Sequence, residues 1–225
     1  MSHTVHPYSH RLGILRDWKS RWFAASGKYQ EFLRSDVLLR EYLEKRLHGQ
    51  YVSAIDFERN DNTLKIIIKT GRPGMIIGRS GEGHTKLKND VLAFAKKNKI
   101  SLSENLKIDI EEVRYPETDA AIVGQMIAEG LEKRMPFRRV LKQTVEKVMA
   151  SKSAQGAKIA ISGRLGGAEM SRSEEIKRGN IPLQTFRADI DFAYEEAHLP
   201  YGVIGIKVWI FRGNVYQEKK AYVVS

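Results

Sequence analysis

Three groups of residues in this sequence have the types and spacing to do chemistry, and in each the chemistry is contact with a polyanion. The first is Gly78-Arg79-Ser80-Gly81. Two glycines flanking two polar residues let a backbone turn sharply, and loop ends without side chains can press directly on a sugar-phosphate chain. Free amides at the start of a following helix point outward and favour anions, and Arg79 adds a charge to that approach. The second is Arg138, Arg139 and Lys142, which project together from a helix because residues three and four apart are neighbours. Lys133, Arg134 and Lys147 extend this positive surface, and the nearby Glu132 and Glu146 do not balance it. The third is Gly163-Arg164-Leu165-Gly166-Gly167, where glycines allow close approach and Arg164 can pair a phosphate. Arg172 and Arg178 could extend that turn toward RNA, although a tight turn without a ligand fits the same residues.

Catalysis finds no comparable constellation. Asp189 and Asp191 fall on one face of a strand but sit beside Arg187, and read as solvated or ion-paired. His3, His6 and His10 would bind metal only incidentally, and Ser162-Gly163 and Ser171 lack the strand-turn-helix setting of a nucleophile elbow. The absence of cysteine removes disulfides, thiolate chemistry and the common zinc modules. No Gly-Lys-Ser/Thr ending makes a P-loop, and Gly78, Gly81 and Gly83 do not have dinucleotide-fingerprint spacing. The expectation is therefore a binding protein without cofactor or metal. A formal charge of +11 and a pI near 9.7 point the same way, because Lys and Arg that neutralise phosphates release condensed counterions. No apolar run approaches the ~20 residues of a membrane span, and Met1 to Arg11 lacks the apolar core of a signal peptide. A cytoplasmic protein without a membrane partner is expected.

A chain of 225 residues, 42% of them hydrophobic, has room for two domains with cores of their own. Residues 1–35 read as an arm, with Arg11, Arg16, Lys19, Arg21 and Lys28 interleaved with Trp18, Trp22, Phe23 and Tyr29. Charge for phosphate and flat faces for bases suit RNA, so Arg11, Arg16, Arg21 and Trp22 are contact candidates, with Arg72 further on. Aromatics that merely dock the arm on a domain are the competing reading. Asp36 is placed to cap a helix reaching Leu47. Strands are expected over 51–59, with Val52, Ala54 and Phe57 inward, and over 63–69, joined by an Asn60-Asp61-Asn62 turn. A short helix over 74–77 follows Pro73, then the glycine loop, a helix over 82–97 and a strand over 106–113. Residues 114–117 link this unit, 36–113, to a second, 118–212. That unit should hold helices over 118–134 and 136–151 and strands over 157–163, 169–177, 185–194 and 203–211. In the third, Ala188, Ile190, Phe192 and Tyr194 alternate against Arg187, Asp189 and Asp191. The last is nearly continuous apolar and should be well covered. Residues 213–225 form a polar, peripheral tail.

Several blocks resemble one known family. They are Arg11-Leu12-Gly13-Ile14, Trp18 to Phe23, Gly71 to Gly78, Ser162 to Glu169, Arg187 to Asp191 and Tyr201 to Ile210, in order along almost the whole chain. Together they look like the bacterial ribosomal small-subunit protein S-three family. The resemblance implies an α+β protein: an N-terminal arm, a type II KH domain with a three-stranded sheet, then an α/β domain with two helices on a four-stranded, mostly antiparallel sheet. In KH domains the glycine loop clamps about four nucleotides of backbone. The resemblance also implies ribosomal RNA of the subunit head, messenger RNA and neighbouring head proteins as partners, rather than self-association. Residues matching Arg138, Arg139 and Lys142 would line the channel by which messenger enters and assist its unwinding. A free KH-type RNA-binding regulator acting off the ribosome is the alternative. Two positions depart from the pattern: His84 stands where KH loops usually have an aliphatic residue, and Ser80 where a basic residue is usual.

Overall fold

The computed structural model describes residues 5–60, 63–100 and 105–216. Asp61, Asn62 and His3 lie outside these, so the full hairpin turn is not described, although the Asn60 amide donates to the Thr63 carbonyl at 2.9 Å.

The arm is docked. Helix α1, Pro7–His10, starts on Pro7 with the His6 ring accepting from the Tyr8 amide. Strand β1, Ser20–Arg21, then pairs parallel to β2, Val52–Arg59, with Ser20 opposite Phe57. The first sheet therefore has four strands in the order β1-β2-β3-β4, one more than the three expected of the KH unit alone. Strand β3, Thr63–Thr70, runs antiparallel to β2, and β4, Asn105–Glu112, runs parallel to β3. Helix α2, Ser26–Arg46, and the later α4, Glu82–Lys97, share one core with the sheet through Leu39, Leu43, Phe57, Ile66, Val91 and Ile108.

Two expectations fail here for physical reasons. Asp36 caps nothing: α2 begins ten residues earlier, at Ser26, and runs through it. The carboxylate is instead buried, 2.8 Å from Arg59 Nη2, and accepts from Trp22 Nε1 at 2.6 Å. With both oxygens engaged it cannot compete for backbone amides, so the helix continues. In β2 the buried positions are Ile55, Asp56, Phe57 and Arg59, and neither Val52 nor Ala54 is among them. A register shift between Val52 and Ala54 changes the phase of the alternation.

After the short α3, Pro73–Ile77, and a 3-10 turn over Pro116–Thr118, the second unit opens at Asp119, whose side chain caps α5, Ala120–Glu132, by accepting from the Ala121 and Ile122 amides. Helix α6 is Phe137–Ala150. The sheet is fully antiparallel in the order β6-β5-β8-β7, from β5, Gly156–Gly163, β6, Arg172–Gly179, β7, Ala188–Leu199, and β8, Gly202–Asn214. Both helices cover one face of it around Val123, Ile127, Leu141, Ile159, Ile206 and Val208. Strand β8 is central, which accounts for its continuous apolar run, and it extends past Gly213 into the segment expected to be tail. The Asp189 and Asp191 pair is ion-paired, to Arg16 at 2.7 Å and Arg212 at 2.8 Å respectively.

Candidate nucleic-acid interface

The glycine loop joins α3 to α4. Ile76 is buried and fixes α3, while Gly78, Arg79 and Ser80 are exposed. Gly78 at φ +70° and Gly81 at φ +80° use backbone conformations open to glycine, and Ser80 follows them at φ +53°. Gly83 matters as much, and motif spacing did not single it out. A Cβ there would lie 2.5 Å from the Ile76 carbonyl oxygen and 2.9 Å from that of Ile77, so only glycine lets the first turn of α4 press against the end of α3. His84 is accommodated rather than disruptive. Its Nε2 lies 2.9 Å from the Ile108 carbonyl and ties α4 to β4. The loop thus presents one cation, Arg79, over exposed backbone. Glu82, the first residue of α4, brings an opposing charge to the same end.

The arm divides into residues turned inward and residues turned out. Arg11 is fully buried and donates to the carbonyls of Pro7, Leu183, Thr185 and Ala188 at 2.6–3.1 Å. It is an anchor, and the expectation that it contacts RNA fails because its donors are spent on backbone. Arg16 is half-buried and held by Asp189. Arg21 is paired with Asp17 at 3.3 Å and Glu58 at 2.8 Å, with its side chain 43% exposed. Trp22 is docked: its indole donates to Asp36 and its ring packs on Tyr29 and Phe32. Trp18, Phe23 and Tyr29 are exposed aromatics of the arm, Phe23 at 94% exposure. The guanidinium of Arg72 lies 4.3 Å over the Tyr51 ring.

The second unit gathers a basic face on α6 and the edge strand β6. Val140, Leu141, Val145 and Val148 bury one side of α6, which forces Arg138, Arg139 and Lys142 outward, and all three are exposed. Arg138 donates through Nε and Nη2 to both oxygens of Glu174 on β6, at 3.2 and 3.1 Å. Arg172 reaches the same carboxylate at 3.4 Å, and both guanidinium groups lie over the Phe137 ring. That pairing raises the Arg138 pKa through the Glu174 hydrogen bond and holds the Glu174 carboxyl below its ordinary value. Glu174 was not a sequence candidate; it comes from a different strand, and only the fold sets it beside Arg138. Arg139 and Lys142 make no ion pair among the described residues. Arg178 is exposed farther along β6. Lys133 pairs with Glu129 one turn back, and Arg134 is exposed just beyond α5 at φ +59°. Arg164 is directed elsewhere: it donates to the carbonyls of Ala168 and Tyr201 at 2.9 and 3.2 Å and braces its own glycine turn.

Comparison with known proteins matches both units. Residues 38–118 match a family model described as the KH domain, and residues 127–210 match one described as the C-terminal domain of ribosomal protein S3. A protein of Clostridium novyi named small ribosomal subunit protein uS3 is 44% identical over 98% of this chain and 96% of its own length. Proteins of the same name from Syntrophomonas wolfei and Pseudomonas paraeruginosa are each 46% identical, over 98% and 96% of this chain and 93% and 91% of their own lengths. Identity at this level, continuous through arm, KH unit and second sheet, shows that the chain belongs to the uS3 family of small ribosomal subunit proteins.

Proposed function

We propose that this chain, as a structural constituent of the bacterial small ribosomal subunit, binds ribosomal RNA in the subunit head beside neighbouring ribosomal proteins. We further propose that α6 turns a basic surface toward incoming messenger and assists its unwinding. The ribosomal role is structural and not enzymatic, and it is exercised in the cytoplasm. The reading is carried by the near-full-length likeness to proteins named for that subunit. The messenger assignment is supported by Arg138, Arg139 and Lys142 lying exposed on one helix with their apolar backs buried. Their action is phosphate attraction to a strand sliding past, with no nucleotide hydrolysis.

Sucrose-gradient fractionation tests the first part. Sedimentation with free small subunits and whole ribosomes is expected; absence from both points to a KH-type regulator acting off the ribosome. The second part is tested by replacing Arg138, Arg139 and Lys142 together with Ala in a reconstituted translation assay. The variant should assemble into subunits normally and translate structured messengers more slowly than unstructured ones. Unchanged unwinding refutes the messenger role.

A further inference from the structure

The second sheet has an outer face that neither α5 nor α6 covers. At one end of it Ala188, Ile190 and Phe211 form a small core of their own, closed by Ile181 and Trp209. The rest of this face has a different composition, open at Tyr194 and Lys207 and covered at Phe192 by the arm's His6 ring, 4.6 Å away between centroids. Strand register sets its rows: Lys177 of β6 stands beside Lys158 of β5, then Trp209 of β8 and Phe192 of β7. In the next row Glu175 of β6 stands beside Ala160 of β5, then Lys207 of β8 and Tyr194 of β7. Successive rows on one face are about 6.6–6.8 Å apart, twice the rise per residue.

Each aromatic ring is held as a platform. Gly205 leaves space above β8, and the Tyr194 ring leans across it: a Cβ at Gly205 would lie 3.4 Å from the ring edge and hydroxyl. The Tyr194 hydroxyl donates to Glu196 at 2.9 Å, which fixes the ring while leaving the residue 52% exposed. Trp209 packs against Phe192 at 5.2 Å between centroids, with the Lys158 ammonium 5.4 Å from its ring centre and paired to Glu175 at 2.7 Å. Lys177 and Lys207 are exposed, and neither makes an ion pair among the described residues. The exposed Tyr194 ring with the unpaired Lys207 ammonium on the adjacent strand suits a stacked base and its phosphate.

We propose that this open half of the second sheet, centred on Tyr194, Trp209 and Lys207, is a binding platform for single-stranded RNA, separate from the glycine loop and from α6. It rests on the ribosomal reading only for the supply of RNA. Its test uses the full-length protein carrying Arg138→Ala, Arg139→Ala and Lys142→Ala, so that α6 does not contribute, and a fluorescein-labelled oligouridylate. Against that background Tyr194→Ala should weaken binding about tenfold and Tyr194→Trp should restore it, because a stacking ring is what is removed and replaced. Lys207→Ala should lower the salt dependence by about 0.7 in the log-log slope, the value for one phosphate of a single strand. Ultraviolet cross-linking should place the oligonucleotide on the β7 or β8 peptide containing Tyr194 or Trp209. Thermal melts establish that each variant is folded. Unchanged affinity in folded Tyr194→Ala and Lys207→Ala overturns the proposal. So does unchanged oligonucleotide binding with reduced incorporation into subunits, which would make the face a protein contact. Sedimentation of the wild-type chain tests the ribosomal role separately.

Discussion

Arg11→Ala should cost folding stability while leaving RNA electrostatics unchanged. The wild-type guanidinium is wholly enclosed and donates to four backbone carbonyls, three of them on the segment from Leu183 to Ala188. Hydrogen bonds from a charged donor are each worth about 1.5–3 kcal/mol, and burying the charge costs several kcal/mol in return. A net loss of about 3 kcal/mol is expected, with carbonyls left unpaired beneath α1. For a chain of this length that lowers the melting temperature by about 6–12 °C. Arg11→Lys should be nearly as damaging, because a compact ammonium cannot reach all the carbonyls spread around the edge of the guanidinium plane. The assays are a thermal melt, limited proteolysis of the arm, and RNA binding across a salt series. The arm should become protease-sensitive in both variants while the salt slope stays constant. If the slope instead fell in Arg11→Ala and was restored in Arg11→Lys, with melting unaltered, Arg11 would be a phosphate contact and the anchor argument would be refuted.

Asp36→Asn strands the Arg59 guanidinium in the first core, where the two side chains are only 5% and 1% exposed, so urea unfolding should register a loss of about 3–5 kcal/mol. His84→Ala removes the tie to the Ile108 carbonyl and should cost about 1 kcal/mol in the same assay, with oligonucleotide affinity at the loop preserved. Burial, with the Glu44 and Glu196 charges adding to it, raises the Glu195 carboxyl above its ordinary value, against the opposing Gln125 hydrogen bond. The folded chain therefore holds this proton more tightly than the unfolded chain, so the group costs stability as pH rises through the carboxylate range. Glu195→Gln should raise the melting temperature at pH 7 and give little gain at acid pH; an equal gain at both would rule out the titration.

Long periodic elements and the order of the two units were legible without coordinates. Helix α4 spans the expected residues, and the apolar face of α6 is the one that its periodicity marks, because a helix buries the same stripe whatever it packs against. The glycine loop and the basic face of α6 were legible because each is a pattern of residues close together in sequence. The fates of the individual cations were not. Arg11, Arg16, Arg21 and Arg79 are alike as letters, yet one is enclosed, two are paired and one projects into solvent. The difference lies in carbonyls and carboxylates from residues 58 and 183–189, remote in sequence and adjacent only in the fold.

What the sequence by itself determined is therefore the charge, the binary pattern, the breaks at glycine and proline, and with them the α+β architecture. Tertiary structure alone decided which positive charges remain free. It set Glu174 between Arg138 and Arg172, turned Asp36 from a helix cap into a buried partner of Arg59, and joined β1 to the first sheet. The physical reason is that an ionic side chain has no preferred partner until distance supplies one. Apolar periodicity acts along a single element, whereas charge pairing, strand phase at a bulge and the close approach at Gly83 depend on what another part of the chain brings within a few ångströms.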